Sequence, residues 1–540
     1  MSPAELPITG YLDRLSHRPG EAFAAFVSVR DGGPARARLL RVISGDPNPD
    51  GPGLRFQDLS GRFDIAFDGR RQPIRLGSCA TIARPPRRAP GACTWTALVW
   101  LAAHPPAPAA VISEEQDGAA VTLLAGADGA AAEIVSGAAR HRIATGAPWP
   151  LRQWVRVWLS IDPGDGRVAL GQQPLGGVAR VATAAHPGLA VPDGGGRLLV
   201  AARDAAAPRA HLTGKVEDPA LLATFRDAWP RPDAPLGPDT PALLAGWDFS
   251  RDMPTQRVVD VGPQGCDGML VNVPTRAVVG ARWSGAEMCW RHAPRDYAAI
   301  HFHADDLGDC GWRRDFAFEV PRDLPSGAYA LHLTCAGGED WLPFYVLPPV
   351  GQARAPVAFL ASTFTYQAYA NHARGNTDAA YRARVAAWGA YPHNPDDYPA
   401  YGRSTYNKHP DGSGIAFSSR LRPMLTMRPG FLTFDDARGS GLRHYPADTH
   451  LLAWLEAKGI AFDVITDEDL HEEGEALLKP YRVVMTGSHP EYHTLQTLDA
   501  LAAYTREGGR LMYLGGNGFY WRIAVTPALP GMMELRRAEG

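Results

Sequence analysis

"YRVVMTGSHPEYH", residues 481–493, is the stretch whose reading decides the fold. An apolar run, broken only by Arg482, empties into a Gly-Ser and then into His489, Glu491, Tyr492 and His493. A short apolar run without polar alternation marks a strand covered on both faces. In open α/β sheets such strands carry the chain to a ligand site at their carboxyl ends.

The same grammar continues on either side. "PVAFLAS" (356–362), "IAFDVIT" (460–466) and "RLMYLGG" (510–516) read as further buried strands. "ADTHLLAWLEAKG" (447–459) reads as a helix with Asp448 as N-cap, Leu451, Leu452 and Leu455 on one face, and Gly459 as its stop. "TLQTLDALAAYTREGG" (494–509) reads as another, with Leu498, Leu501 and Ala502 inward. Alternating strands and helices predict a doubly wound parallel sheet over residues 355–540.

Before residue 350 helical periodicity is almost absent. In "WVRVWLSIDPGDGRVALG" (154–171), Val155, Val157, Leu159 and Ile161 alternate with Trp154, Arg156, Trp158 and Ser160 before "DPGDG" turns the chain back. That is a hairpin of period two. Many such runs predict an antiparallel sandwich over residues 1–245, with a pattern that resembles a laminin-G or concanavalin-like jelly roll. A second β-rich segment, 246–350, carries a strand, a Pro-Ser-Gly turn and Tyr329, and reads as immunoglobulin-like. "PPVGQARAP" (348–356) is a linker. The fold class expected is therefore multidomain, with all-β sandwiches followed by a glutamine-amidotransferase-like α/β domain.

Composition narrows the functions. At 540 residues the chain exceeds one core, and its net charge of -3 offers no attraction for nucleic acid or an anionic membrane. "MSPAELPITGYLDRLSHRPG" has no apolar leader, so a cytoplasmic location is expected. The six cysteines form no CxxC pair and all precede residue 336, which argues against a disulfide framework, a zinc ribbon or a thiol nucleophile in the α/β region.

Three strand ends carry polar and aromatic clusters: "STFTYQAYANH" (362–372), "SHPEYH" (488–493) and "GNGFYW" (516–521). "MTGSHPE" is not a serine elbow, and "GGNG" lacks the rest of a dinucleotide fingerprint. What remains is a metal or acid–base site of Glu, His and Tyr. Taken singly, each tyrosine reads as a half-buried wall residue sooner than as a ligand, and Glu491 reads equally as an N-terminal cap of the following helix. Residues 362–447 form a long excursion expected to wall the site. "HFHADDLGDCGW" (301–312) is a rival cluster, since His301 and His303 share one strand face.

"TFTYQAYANH", "GRSTYNKHPDGSG", "GSHPEYH" and "LGGNGFYWR", in that order behind a laminin-G-like region, resemble the large (β) subunit of N,N-dimethylformamidase over essentially the whole chain. The resemblance implies a mononuclear ferric ion held by two tyrosines and a glutamate, and hydrolysis of dimethylformamide to dimethylamine and formate. Carried over, the ligands are Glu491, Tyr406 and Tyr366, with Tyr369 one helical turn away as the alternative. His489 and Asn517 match polar residues of the family's pocket. A small amide substrate, a separate small subunit and a hetero-oligomer are implied as well. Large subunits of the family continue beyond the position of "GMMELRRAEG" (531–540), so a truncated domain is expected. Two alternatives stand beside this reading: a glycan- or protein-binding module with a degenerate α/β domain, and a metal hydrolase of another small amide.

Overall fold

The computed structural model describes residues 4–434 and 439–537. The chain is mostly β, and its first α-helix among the described residues begins at Thr363. It forms two compact units that interleave in sequence. Among the described residues, one comprises 4–75, 308–407, 415–434 and 439–537; the other comprises 76–307 and 408–414. The boundaries expected near 245 and 350 are therefore not the lines along which the chain compacts. No helix among the described residues is long and apolar enough to cross a membrane. All six cysteines are free.

The unit built around residues 76–307 contains a 16-stranded sheet. The predicted hairpin is present: Trp154–Asp162 pairs antiparallel with Arg167–Pro174, in a register that sets Asp162 against Arg167. Its polar-looking face is buried too, since Trp158, Arg156 and Ser160 are as enclosed as Val157 and Leu159. Gly171 makes this possible, because a Cβ there would lie 2.0 Å from the Trp158 ring. Ile134, Leu170, Trp95 and Trp247 share one core drawn from distant strands of the same sheet. The segment after residue 245 extends this sheet, with Leu243–Asp248 and Ala299–Phe302 both flanking Gly214–Leu222.

In the other unit, Gly33–Gly45 pairs antiparallel with Gly327–Cys335, which in turn pairs with Gly338–Val346. The segment expected to be immunoglobulin-like, 246–350, is divided at residue 307 between the two units, and its later strands pair with strands near the N-terminus. The Tyr329 hydroxyl donates to the Pro325 carbonyl at 2.7 Å, closing that corner.

The same unit contains the four-stranded parallel sheet expected from the sequence. Val357–Ala361 lies between Phe462–Thr466 and Val483–Thr486, and Arg510–Met512 completes it. The first strand of this sheet in chain order is thus flanked by its second and third. Successive connections run to opposite sides, which opens a crevice beyond the carboxyl ends of Val357–Ala361 and Val483–Thr486. Two helix details differ from expectation. The helix His444–Ala457 starts earlier than predicted and is preceded by Arg443, so Asp448 lies inside it, fully buried, and is not its cap. The helix Leu495–Arg506 buries Thr497, Ala500, Leu501 and Tyr504, whereas Ala502 faces solvent.

Candidate active site

The crevice is where the sequence-selected residues meet. The Leu495–Arg506 helix is capped by Thr494, whose side chain accepts from the Thr497 amide. Glu491 is thereby released from any capping role. It sits between the third strand and that cap, 2% exposed, with its amide donating to Thr365 Oγ1 at 3.1 Å.

Two phenols converge on its carboxylate. The Tyr369 hydroxyl donates to Oε2 at 2.7 Å and the Tyr406 hydroxyl to Oε1 at 2.9 Å. Their rings stack with centroids 4.1 Å apart and 16° between planes. Tyr492 donates to the Tyr406 oxygen at 2.6 Å and accepts from Arg537 Nη2 at 2.8 Å. The Arg537 guanidinium also lies 4.4 Å from the Tyr406 ring centroid.

His489 completes the cluster, its Nε2 2.9 Å from Glu491 Oε2 and 3.1 Å from Arg443 Nη2. One ring nitrogen cannot donate to the carboxylate and accept from the guanidinium at once. The proton at Nε2 therefore has two arrangements: present and directed at Glu491, or absent with Arg443 donating to the lone pair. Burial pushes the Glu491 carboxyl up, but hydrogen bonds from His489, Tyr369 and Tyr406 outweigh it and hold the group below its ordinary value. Burial and the neighbouring Tyr406 and Glu491 push the Tyr369 phenol far up.

Tyr366, the tyrosine first assigned as a ligand, is elsewhere. Its hydroxyl donates to Asp448, and the Tyr345 hydroxyl stands 3.5 Å from it. The helix Thr363–Ala368 ends before Tyr369, whose φ of −92° and ψ of 1° take it out of the helical path. Two residues one turn apart thus reach different partners. Asp448 Oδ1 also accepts from the Ser488 amide and hydroxyl, both at 2.6 Å, so Ser488 is a structural donor. Gly487 permits this, since a Cβ there would meet Asp448 Oδ2 at 2.3 Å. Tyr366→Phe is expected to cost about 1–3 kcal/mol of stability, from a buried acceptor left with fewer donors. It should leave any metal-dependent property intact, whereas Tyr369→Phe should remove that property at small cost in stability. Thermal melts paired with metal analysis of the two variants check the contrast.

Asn517 lies exposed in the turn after the fourth strand; its neighbour Gly516 abuts His489, the ring nitrogen standing 3.3 Å from where a Cβ would be. Sequence reasoning passed over Arg443, His444 and Arg537. The His444 ring lies 4.1 Å from that of Tyr369, its backbone holds a φ of +55°, and its buried Nε2 has no partner among the described residues. No sequence signal marks it, because a strained helix start without glycine or asparagine has no compositional signature.

Sheet and cluster together describe a mostly β protein whose buried carboxylate, phenols and imidazole gather where the strand order of a parallel sheet reverses. Comparison with known proteins takes this further. A family model described as "N,N-dimethylformamidase beta subunit-like, C-terminal" matches residues 275–540. An N,N-dimethylformamidase beta subunit from Paracoccus aminophilus is 35% identical over 589 aligned residues, covering 99% of this chain and 74% of that protein. One from an Alcaligenes species is 33% identical, with the same coverages. The chain belongs to the N,N-dimethylformamidase beta-subunit family. Among solved structures, a putative carbohydrate binding protein from Bacteroides ovatus matches at 13% identity and a TM-score of 0.27, over 47% of this chain and 68% of that one. Domains LG4-5 of the mouse laminin alpha1 chain match at 14% and 0.21, over 32% and 47%. Likeness at those scores supports no conclusion about fold or ligand.

Proposed function

We propose that the chain hydrolyses N,N-dimethylformamide, or a related small N-substituted amide, to an amine and formate, with one iron ion held by Tyr369, Tyr406 and Glu491. The observation that carries this reading is the convergence of two phenol hydroxyls on opposite oxygens of one buried carboxylate. A cation that displaces the two hydroxyl protons would find three anionic oxygens already gathered. Hard donors of that kind suit a ferric ion. Bound there, the metal supplies Lewis acidity toward an amide carbonyl or a water.

The chain's own residues supply the rest. His489 holds or yields a proton at Nε2, beside the reacting region, and Arg443 selects between its two states by donating to the lone pair. Tyr492 and Arg537 fix the Tyr406 oxygen from behind, which keeps its orientation independent of substrate. Tyr369 and Tyr406 stack on each other, with His444 and Arg443 against Tyr369 and Arg537 against Tyr406, which keeps both hydroxyls aimed at Glu491. The beta-subunit names of its relatives support assembly with a separate small subunit, and the sandwich reading of the β-rich regions fits the large antiparallel sheets.

Elemental analysis, visible absorption and formate release from dimethylformamide, on chain purified with and without a small subunit, test the proposal. Near-stoichiometric iron with a tyrosinate-to-iron charge-transfer band is the expected result. A folded, colourless, iron-free protein that releases no formate overturns it.

A further inference from the structure

We propose that His301, His303 and Asp411 form a second metal site, for a divalent cation of the zinc class, sharing no residue with the tyrosine–glutamate cluster. All three belong to the compact unit built around residues 76–307. His301 lies in the strand Ala299–Phe302 and His303 just past its end, so their i,i+2 spacing puts both imidazoles on one face. Asp411 comes from the tight loop 408–414, closed by a Lys408–Gly414 bridge and by the His409 amide donating to the Ser413 carbonyl at 3.0 Å.

The distances suit a small cation. One ligand atom from each of the three side chains lies within 4.8 Å of the others. His301 Nε2 and Asp411 Oδ2 are 3.0 Å apart, near the ~3.3 Å edge of a tetrahedron with ~2 Å bonds. The three side chains are 3%, 1% and 2% exposed.

The proton arrangement points the same way. His303 Nδ1 lies 3.1 Å from Asp306 Oδ2, an oxygen that also accepts from Ser78 Oγ at 2.6 Å. With Asp306 at Nδ1, the other ring nitrogen, Nε2, faces the loop that carries Asp411, with Ser413 Oγ at 3.2 Å, a contact that a cation bound there would replace. A carboxylate behind the distal ring nitrogen is the usual companion of a metal-ligating histidine. Ser413, through its amide and hydroxyl, occupies Asp411 Oδ1 and leaves Oδ2 for a ligand role.

Charge supports the assignment. The partners given to Asp305, Asp306 and Asp411 are imidazoles and the Ser78 and Ser413 groups, which leaves enclosed negative charge for a cation to neutralise. His409 has a different role. It pairs with Asp305 at 2.7 Å and stacks on His303 with ring centroids 3.5 Å apart. Two histidines and one carboxylate suit zinc, cobalt(II) or manganese(II).

The test uses the 540-residue chain carrying Glu491→Ala, which removes one of the three candidate iron ligands, stripped by chelator and titrated with Co²⁺ and then Zn²⁺. One equivalent of Co²⁺ with a d–d absorption band, displaced by Zn²⁺, is expected. Binding should be lost in His303→Ala and His301→Gln, and weakened about 10–100-fold in Asp306→Asn. The same titration in a Tyr406→Phe chain covers the case in which Glu491→Ala does not fold. Folded protein that takes up neither ion, or that binds equally well after His303→Ala and His301→Gln, overturns the proposal.

Discussion

Glu491→Gln is expected to abolish iron retention and to reduce amide hydrolysis by more than the ~10–100-fold typical of changing a residue behind a metal ligand. The substitution keeps the side chain's length and one carbonyl acceptor. It removes the charge and replaces one acceptor oxygen with an NH₂ group. Oε2 receives both Tyr369 and the His489 contact, and Oε1 receives Tyr406. Whichever way the glutamine turns, one of these donors faces another donor. The cluster then loses an anionic oxygen and its common anchor together. Iron per chain, the charge-transfer band and the rate of formate release read the effect, with circular dichroism confirming the fold. Iron content and rate within twofold of the parent would remove Glu491 from the centre of the reading.

Arg428→Met should be the most damaging single change to stability, about 3–5 kcal/mol, through the charge it strands. Asp340 is fully buried in the strand Gly338–Val346 and Arg428 is 3% exposed. Their pairing is bidentate, at 2.9 and 3.1 Å. Thr9 Oγ1 at 2.7 Å and the Tyr391 hydroxyl at 3.0 Å also donate to Asp340, and Arg428 donates to the Gly10 carbonyl at 3.0 Å. One carboxylate thus joins the N-terminal strand, the central hairpin and the long excursion. Removing the guanidinium leaves a buried anion with neutral donors only. Arg428→Met combined with Asp340→Leu should recover a substantial part of the loss, because the uncompensated charge goes with it. Shifts of the urea transition in the two variants measure this. A loss below about 1 kcal/mol in Arg428→Met would mean that water reaches Asp340.

The sequence by itself determined the local elements and their order. Uninterrupted apolar runs at 357–361, 462–466 and 483–486 specified strands buried on both faces, and the alternation around Val155–Ile161 specified the hairpin. These patterns are legible because a strand's period is two residues and a helix's is 3.6, whatever lies nearby. The location of the site followed too, since polar clusters at the ends of parallel strands fall where strand order reverses. Glu491 and His489 were singled out this way, whereas Tyr406, inside the long excursion, was reached only through the family resemblance.

Only the tertiary structure chose Tyr369 over Tyr366. Periodicity treats residues one turn apart as equivalent, and the choice rests on where the helix stops and on Asp448, 82 residues from Tyr366, claiming its hydroxyl. The same holds for Asp448 itself, which local rules make a cap and long-range packing makes a buried acceptor. It holds for the pairing of Gly33–Gly45 with Gly327–Cys335, and for the loop 408–414 that sets Asp411 beside His301. Strand partners and hydrogen-bond partners far apart in the chain leave no periodic trace in either segment. They are decided by which buried polar groups satisfy one another once the core has closed.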